Sequence, residues 1–220
     1  MQFEVVPKPA AGRGRAIGTA VLLLVAGVLA TTSLAFPLWQ ISYHLFYADY
    51  HYDEICRGVT GGNGYCSSYG DYERLVGSSN DTGIIDLAFT VGLTGDLAMA
   101  GGLVSVGSSI VVLVTNRMTS ASVFWRRLQL CLPVAASALL ITSLVAEVVG
   151  VTFSLMSSGN PSPCSPKFIA TCGATTWGPG NGWYLILLGA LLAVAATLLI
   201  ARFRRRTLIA GFKSGGGSTP

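Results

Sequence analysis

Four long apolar runs divide this chain, at 17–36, 84–115, 128–155 and 183–201. Each holds the roughly 20 apolar residues that carry a helix across a bilayer. A segment in lipid must satisfy its own backbone hydrogen bonds, so helices are the expected form. Strands of a membrane barrel would alternate with period two, whereas Val21-Leu22-Leu23-Leu24-Val25 is apolar throughout. The second and third runs are longer than one bilayer needs, which predicts some tilt and helical extensions beyond the outer surface. The first run exceeds the roughly 7–15 residues of a signal-peptide core, so it reads as a span and not a leader.

The polar stretches complete the layout: a lead at 1–16, a long loop at 37–83, a short connector at 116–127, a second loop at 156–182 and a basic tail at 202–220. The short connector predicts that the second and third helices are antiparallel neighbours. The long loop is rich in aromatics, with Trp39, Tyr43, Phe46, Tyr47, Tyr50 and Tyr52 ahead of its first cysteine. That is strand-like character. Gly61-Gly62-Asn63-Gly64 is a turn signal between Cys56 and Cys66. Pro161, Pro163, Pro166 and Pro179 predict an irregular second loop. Pro133, early in the third run, predicts a modest kink at most. The Ser214–Pro220 tail has flexible-linker chemistry.

Charge refines the picture. Of 220 residues, 51% are hydrophobic and 11% charged, against roughly 25% charged in a soluble domain. Lipid is therefore the expected solvent. Lys8, Arg13, Arg15, Arg117, Arg126, Arg127, Arg202, Arg204, Arg205, Arg206 and Lys213 fall on one side of the predicted spans, and Arg57, Arg74 and Lys167 on the other. The positive-inside rule then places both termini in the cytoplasm and loops 37–83 and 156–182 outside. The net charge of +4 follows from this anchoring, so no nucleic-acid partner is expected.

Four of the five cysteines lie in the two outer loops: Cys56, Cys66, Cys164 and Cys172. An oxidising compartment favours disulfides there. Their spacing suits local pairs, 56 with 66 and 164 with 172, with cross-loop pairing and a redox-active role as the alternatives. Two outer cysteine pairs on four helices resemble the quinone-linked disulfide oxidases of bacteria, but the Cys-x-x-Cys those use is absent. Cys131, early in the third run, is expected to be packed and inert.

Carboxylates inside the spans come next. Asp96 lies 21 positions from Arg117, and Glu147 lies 20 from Arg127. At about 1.5 Å per residue both sit roughly 30 Å from the cytoplasmic boundary. One reading is a facing pair that shares a proton, binds a cation or accepts hydrogen bonds from a partner subunit. The other is two hydrated groups at the outer interface. Small residues Gly92, Gly95, Ala98 and Gly102 mark a close-packing face on the second helix. His44 and His51 read as part of a polar loop and not as a metal site. Asn80-Asp81-Thr82 matches a glycosylation sequon. The chain carries no Ser/His/Asp set, phosphate loop, His-Glu-x-x-His or nucleotide fingerprint, so no catalytic residue, metal, cofactor or small-molecule substrate is expected.

Four spans, a long first outer loop with Trp39 early in it, the cysteines Cys56 and Cys66, and Arg74 near its end resemble the claudin and peripheral-myelin-protein group. The resemblance implies a left-handed four-helix bundle under a small outer β-sheet stapled by Cys56–Cys66. The chain departs from claudins in four respects, one of them a short stretch from Trp39 to Cys56. Asp53-Glu54-Ile55 stands where claudins have Gly-Leu-Trp, the second loop has its own cysteine pair, and the end is Pro220.

The expected protein is thus an all-α, four-span membrane bundle with a disulfide-stapled, β-rich outer cap. Its expected role is that of a non-catalytic scaffold or accessory subunit. The outer aromatics would contact other membrane subunits or a second copy, and the Gly/Ala faces would dock within the bilayer. The alternatives are a thiol-disulfide oxidoreductase built on the outer cysteines, or ion or proton conduction through Asp96 and Glu147.

Overall fold

The computed structural model describes residues 11–71, 82–118, 122–157 and 168–214. Four helices dominate: α1 (Ala11–Thr32), α2 (Thr82–Arg117), α3 (Val123–Ser157) and α4 (Asn181–Ser214). Within them, Gly14–Ala35, Asp86–Arg117, Val123–Ser154 and Asn181–Phe203 are each long and apolar enough to cross a membrane. This is the build of a multi-pass membrane protein. Helix continues past the predicted fourth run, through Arg204, Arg205 and Arg206. Pro133 lies inside α3, which runs on through it, with the Ser137 hydroxyl donating to the Pro133 carbonyl.

Each helix packs on two neighbours, in the ring order α1, α2, α3, α4. Small residues are prominent inside the ring, with Ala26, Ala30, Ala98, Ala136, Ala190, Ala193 and Ala196 buried beside Leu23, Leu140 and Ile186. The outside carries large ones, including Phe89 at 73% exposure and Leu103 at 62%. In water that arrangement would be inverted. In lipid, tails solvate the large side chains and close packing of small ones holds helices together. At the α1–α2 crossing, a Cβ on Gly27 would lie 2.6 Å from the Gly102 carbonyl. Hydroxyls add cross-helix bonds: Ser105 donates to Leu23 O and Ser143 to Thr94 O, both at 2.8 Å.

The predicted strand character of the first loop is realised in β1 (Trp39–Tyr43), β2 (Phe46–Tyr50), β3 (Glu54–Val59) and β4 (Tyr65–Ser68). The second loop departs from its expected irregularity. It supplies β5 (Ala170–Cys172) and β6 (Thr175–Pro179), and β6 pairs with β1. The physical reason is an open edge: β1 is the end strand of the first-loop meander, and Thr175-Thr176-Trp177 has the β-branched and aromatic residues to cover it. The result is one six-stranded antiparallel sheet, ordered β4-β3-β2-β1-β6-β5. Gly61, at φ 82°, turns the chain between β3 and β4 in the predicted place.

Candidate functional site

The cap stands on the helices through its first strand. Trp39, at the start of β1, is fully buried. Its ring meets Phe168 at 4.8 Å, and Phe168 meets Trp183 of α4 at 5.6 Å. Tyr50 and Ile55 join the same core. Two of the six first-loop aromatics ahead of Cys56, Trp39 and Tyr50, therefore belong to the interior.

Cys56 and Cys66 form a disulfide across β3 and β4, where they are directly paired. Glu54 lies beside both sulfurs. The disulfide consumes the thiolates, so this trio is no metal-ligand set. Cys172 is also disulfide-bonded, while Cys164, its predicted partner, lies outside the described residues, as do Asn80 and Arg74. Cys131 is free and exposed on α3, not packed. His44 and His51 fall at opposite ends of β2 and do not converge.

Strand alternation divides the sheet into two faces. Trp39, Ile41, Ala48, Tyr50, Ile55 and Trp177 face the core. On the other face, Gln40, Ser42, Tyr47, Asp49, Thr171 and Thr176 line a groove of about 620 Å³. Tyr47 lies over Gly58 and Gly64; a Cβ on Gly58 would sit 2.7 Å from its hydroxyl. Burial pushes the Asp49 carboxyl above its ordinary value, partly offset by His51 and by a hydrogen bond from Gln40.

The strands leave the helix ends at Trp39 and Glu54 and turn back at His44-Leu45 and at Thr60–Gly64. Those turns form a distal rim. Tyr43, Leu45, Phe46 and Tyr65 are exposed there at 50%, 62%, 59% and 62%. His44 holds a positive φ of 50°, uncommon for a residue other than glycine. Its N–H donates to Ala174 O, and Thr60 N–H donates to Leu45 O. Three hairpin turns are thereby tied together beneath an apolar tip.

Tyr52 does something else. It sits in the turn between β2 and β3, and its ring packs against α2 at Gly95. A Cβ on Gly95 would overlap Tyr52 Cδ2 and lie 2.9 Å from Cε2. The Tyr52 hydroxyl donates to Asp96 Oδ1 at 2.6 Å. That bond, with some desolvation, raises the phenol above its ordinary value. Gly95 and Asp96 thus form a latch for the cap, and the Gly92–Gly95 stretch serves this tyrosine and not a neighbouring helix. Ala98 and Gly102 do face the bundle.

The two span carboxylates part company. Asp96 is exposed and bonded to the cap, whereas Glu147 is fully buried with neither oxygen hydrogen-bonded among the described residues. No hydrogen bond joins the two. Tyr69, which donates to the His51 carbonyl, lies within electrostatic reach of Glu147. Burial raises its phenol first, and the acids around it, Glu147 among them, add to the shift. No signal in the sequence separated Glu147 from Asp96, because residue counting gives depth and not facing.

No family model matches this chain, and no curated protein matches it.

Proposed function

We propose that this chain is a non-catalytic interaction protein of the membrane, a scaffold or accessory subunit whose outer cap contacts a partner. In this reading both termini are cytoplasmic and the cap lies outside, following the positive charges of Arg13, Arg15, Arg117, Arg126, Arg127 and the Arg202–Arg206 cluster. The observation that carries it is the distal rim. Tyr43, Leu45 and Phe46 are large, apolar and exposed at the far end of a braced sheet. They stand on the membrane-distal tip, where lipid tails cannot cover them, unlike Phe89 or Leu103. Exposed apolar patches of this kind mark contact surfaces. A buried Trp39 and a Cys56–Cys66 staple between adjacent strands are consistent with a claudin-like cap.

The test is extraction in mild detergent followed by measurement of mass and composition. Wild type should run as a self-assembly or with a stoichiometric second chain. Leu45→Asp with Phe46→Asp should release it as a monomer while leaving membrane insertion and the disulfides unchanged. A wild-type protein that is monomeric and alone, and stays so after cross-linking in its native membrane, defeats the reading.

A further inference from the structure

The seam between α2 and α3 carries a second candidate, separate from the cap. Glu147 is a charged-type side chain at 0% exposure. Both its carboxyl oxygens lack a hydrogen-bond partner among the described residues. Thr94 Oγ1, also on a fully buried residue, lacks one too. Two contacts set the register of these antiparallel helices. Ser143 Oγ donates to Thr94 O at 2.8 Å. Seven residues further along α3, a Cβ on Gly150 would lie 2.7 Å from Thr90 Oγ1. Ser143, Glu147 and Gly150 are spaced i, i+4 and i+7 and share one helix face, as do Thr90 and Thr94. Glu147 is therefore bracketed by the two contacts, with Thr90 and Thr94 across from it.

The protons in this seam are already committed. Thr90 Oγ1 donates to Asp86 O at 2.8 Å, Ser143 Oγ donates to Thr94 O, and Tyr69 OH donates to His51 O. What these groups still present is oxygen lone pairs. Among the described hydroxyls of this face, that of Thr94 alone keeps its proton uncommitted, and the carboxylate has two oxygens to satisfy. The apolar runs 17–36, 84–115, 128–155 and 183–201 contain no Lys or Arg, so no side chain within them supplies a countercharge. A buried, unpaired charge of this kind is costly, and polar groups in spans mark ion or proton sites.

We propose that Glu147 and Thr94, flanked by Thr90 and Ser143, form a binding site for a hard monovalent cation of the alkali type. Oxygen donors select hard ions over soft ones. Charge selects the valence: one carboxylate with neutral hydroxyls is balanced by a single positive charge, whereas a divalent ion would leave net charge in the apolar interior. The site neither requires nor implies the partner contact of the cap.

The test uses the full chain purified in detergent at constant ionic strength, with choline chloride replaced stepwise by NaCl or KCl. Preferential binding to the folded state raises the unfolding midpoint with the logarithm of free cation. Wild type should show this rise in at least one of the two salts, and which salt is effective identifies the ion. Glu147→Gln keeps the shape, removes the charge and should abolish the response. Thr94→Val removes one oxygen at constant volume and should demand roughly tenfold more cation for the same rise. Direct binding of radioactive sodium or rubidium to wild type, at one ion per chain, reads the site even if a variant misfolds. Identical midpoints in sodium, potassium and choline, or an undiminished response in Glu147→Gln, overturns the proposal. A midpoint that depends on pH but not on cation overturns it in favour of a proton.

Discussion

Replacing Gly95 with alanine tests the latch between cap and bundle, because two opposing effects have different dependences on Tyr52. In an α-helix, Gly→Ala is favourable by up to about 1 kcal/mol. Against that stands the tyrosine. The new Cβ would overlap Tyr52 Cδ2 and lie 3.0 Å from Cγ. Cγ is the root of the ring, so the whole side chain must swing. Forced repacking of this kind costs about 1–3 kcal/mol. The swing also breaks the Tyr52–Asp96 bond of 2.6 Å, which at an exposed carboxylate contributes about 1 kcal/mol. Clash and broken bond outweigh propensity, so Gly95→Ala should destabilise wild type by about 1–3 kcal/mol. In a Tyr52→Ala background the clash and the bond are gone and only propensity remains. There the same substitution should stabilise, by about 0.5–1 kcal/mol. SDS titration in mixed micelles measures all four corners of this cycle. A Gly95→Ala effect of the same sign and size in both backgrounds refutes the latch. The bond also sets a pH dependence. The folded-state phenol lies above its ordinary 10.0, so its contribution is complete below pH 10 and is lost as pH rises through the folded value. Tyr52→Phe should flatten that alkaline limb.

Two further outcomes follow from packing and covalent structure. Cys56→Ser should destabilise the cap by about 2–3 kcal/mol, the value for closing a loop of this length, with loss of β4 protection in hydrogen exchange. Alkylation without reductant should label Cys131 in wild type, and both Cys131 and the freed Cys66 in Cys56→Ser. Gly27→Ala should cost about 1–3 kcal/mol, because its Cβ would meet backbone, the Gly102 carbonyl at 2.6 Å, which cannot yield. Gly107→Ala, with nothing within 4 Å, is the control and should be neutral or slightly stabilising by SDS titration.

Long apolar runs are a one-dimensional signal, and helix existence was legible from them to within a few residues for most boundaries. The Gly61 turn and the Cys56–Cys66 staple were legible for the same reason, since both are local. What escaped the sequence was everything decided by facing. Trp39 and Tyr43 belong to one strand and one face of it, yet the first is buried under the helices and the second stands on the rim. Their difference is distance from the bundle. The second loop's strands were hidden because β6 owes its form to the open edge of β1, a segment 134 residues away by the Ser42–Thr176 contact. Gly95 carries the small-residue signal of helix docking, yet a tyrosine from the cap fills the slot. Asp96 and Glu147 make the same point most sharply. Near-equal counts from Arg117 and Arg127 give them one depth, but α2 turns Asp96 outward to the cap and α3 turns Glu147 inward to the seam. A carboxylate that meets a tyrosine at the surface serves assembly. A carboxylate that is fully buried with no hydrogen-bond partner among the described residues needs a cation or a proton of its own, and that requirement separates the two acids physically.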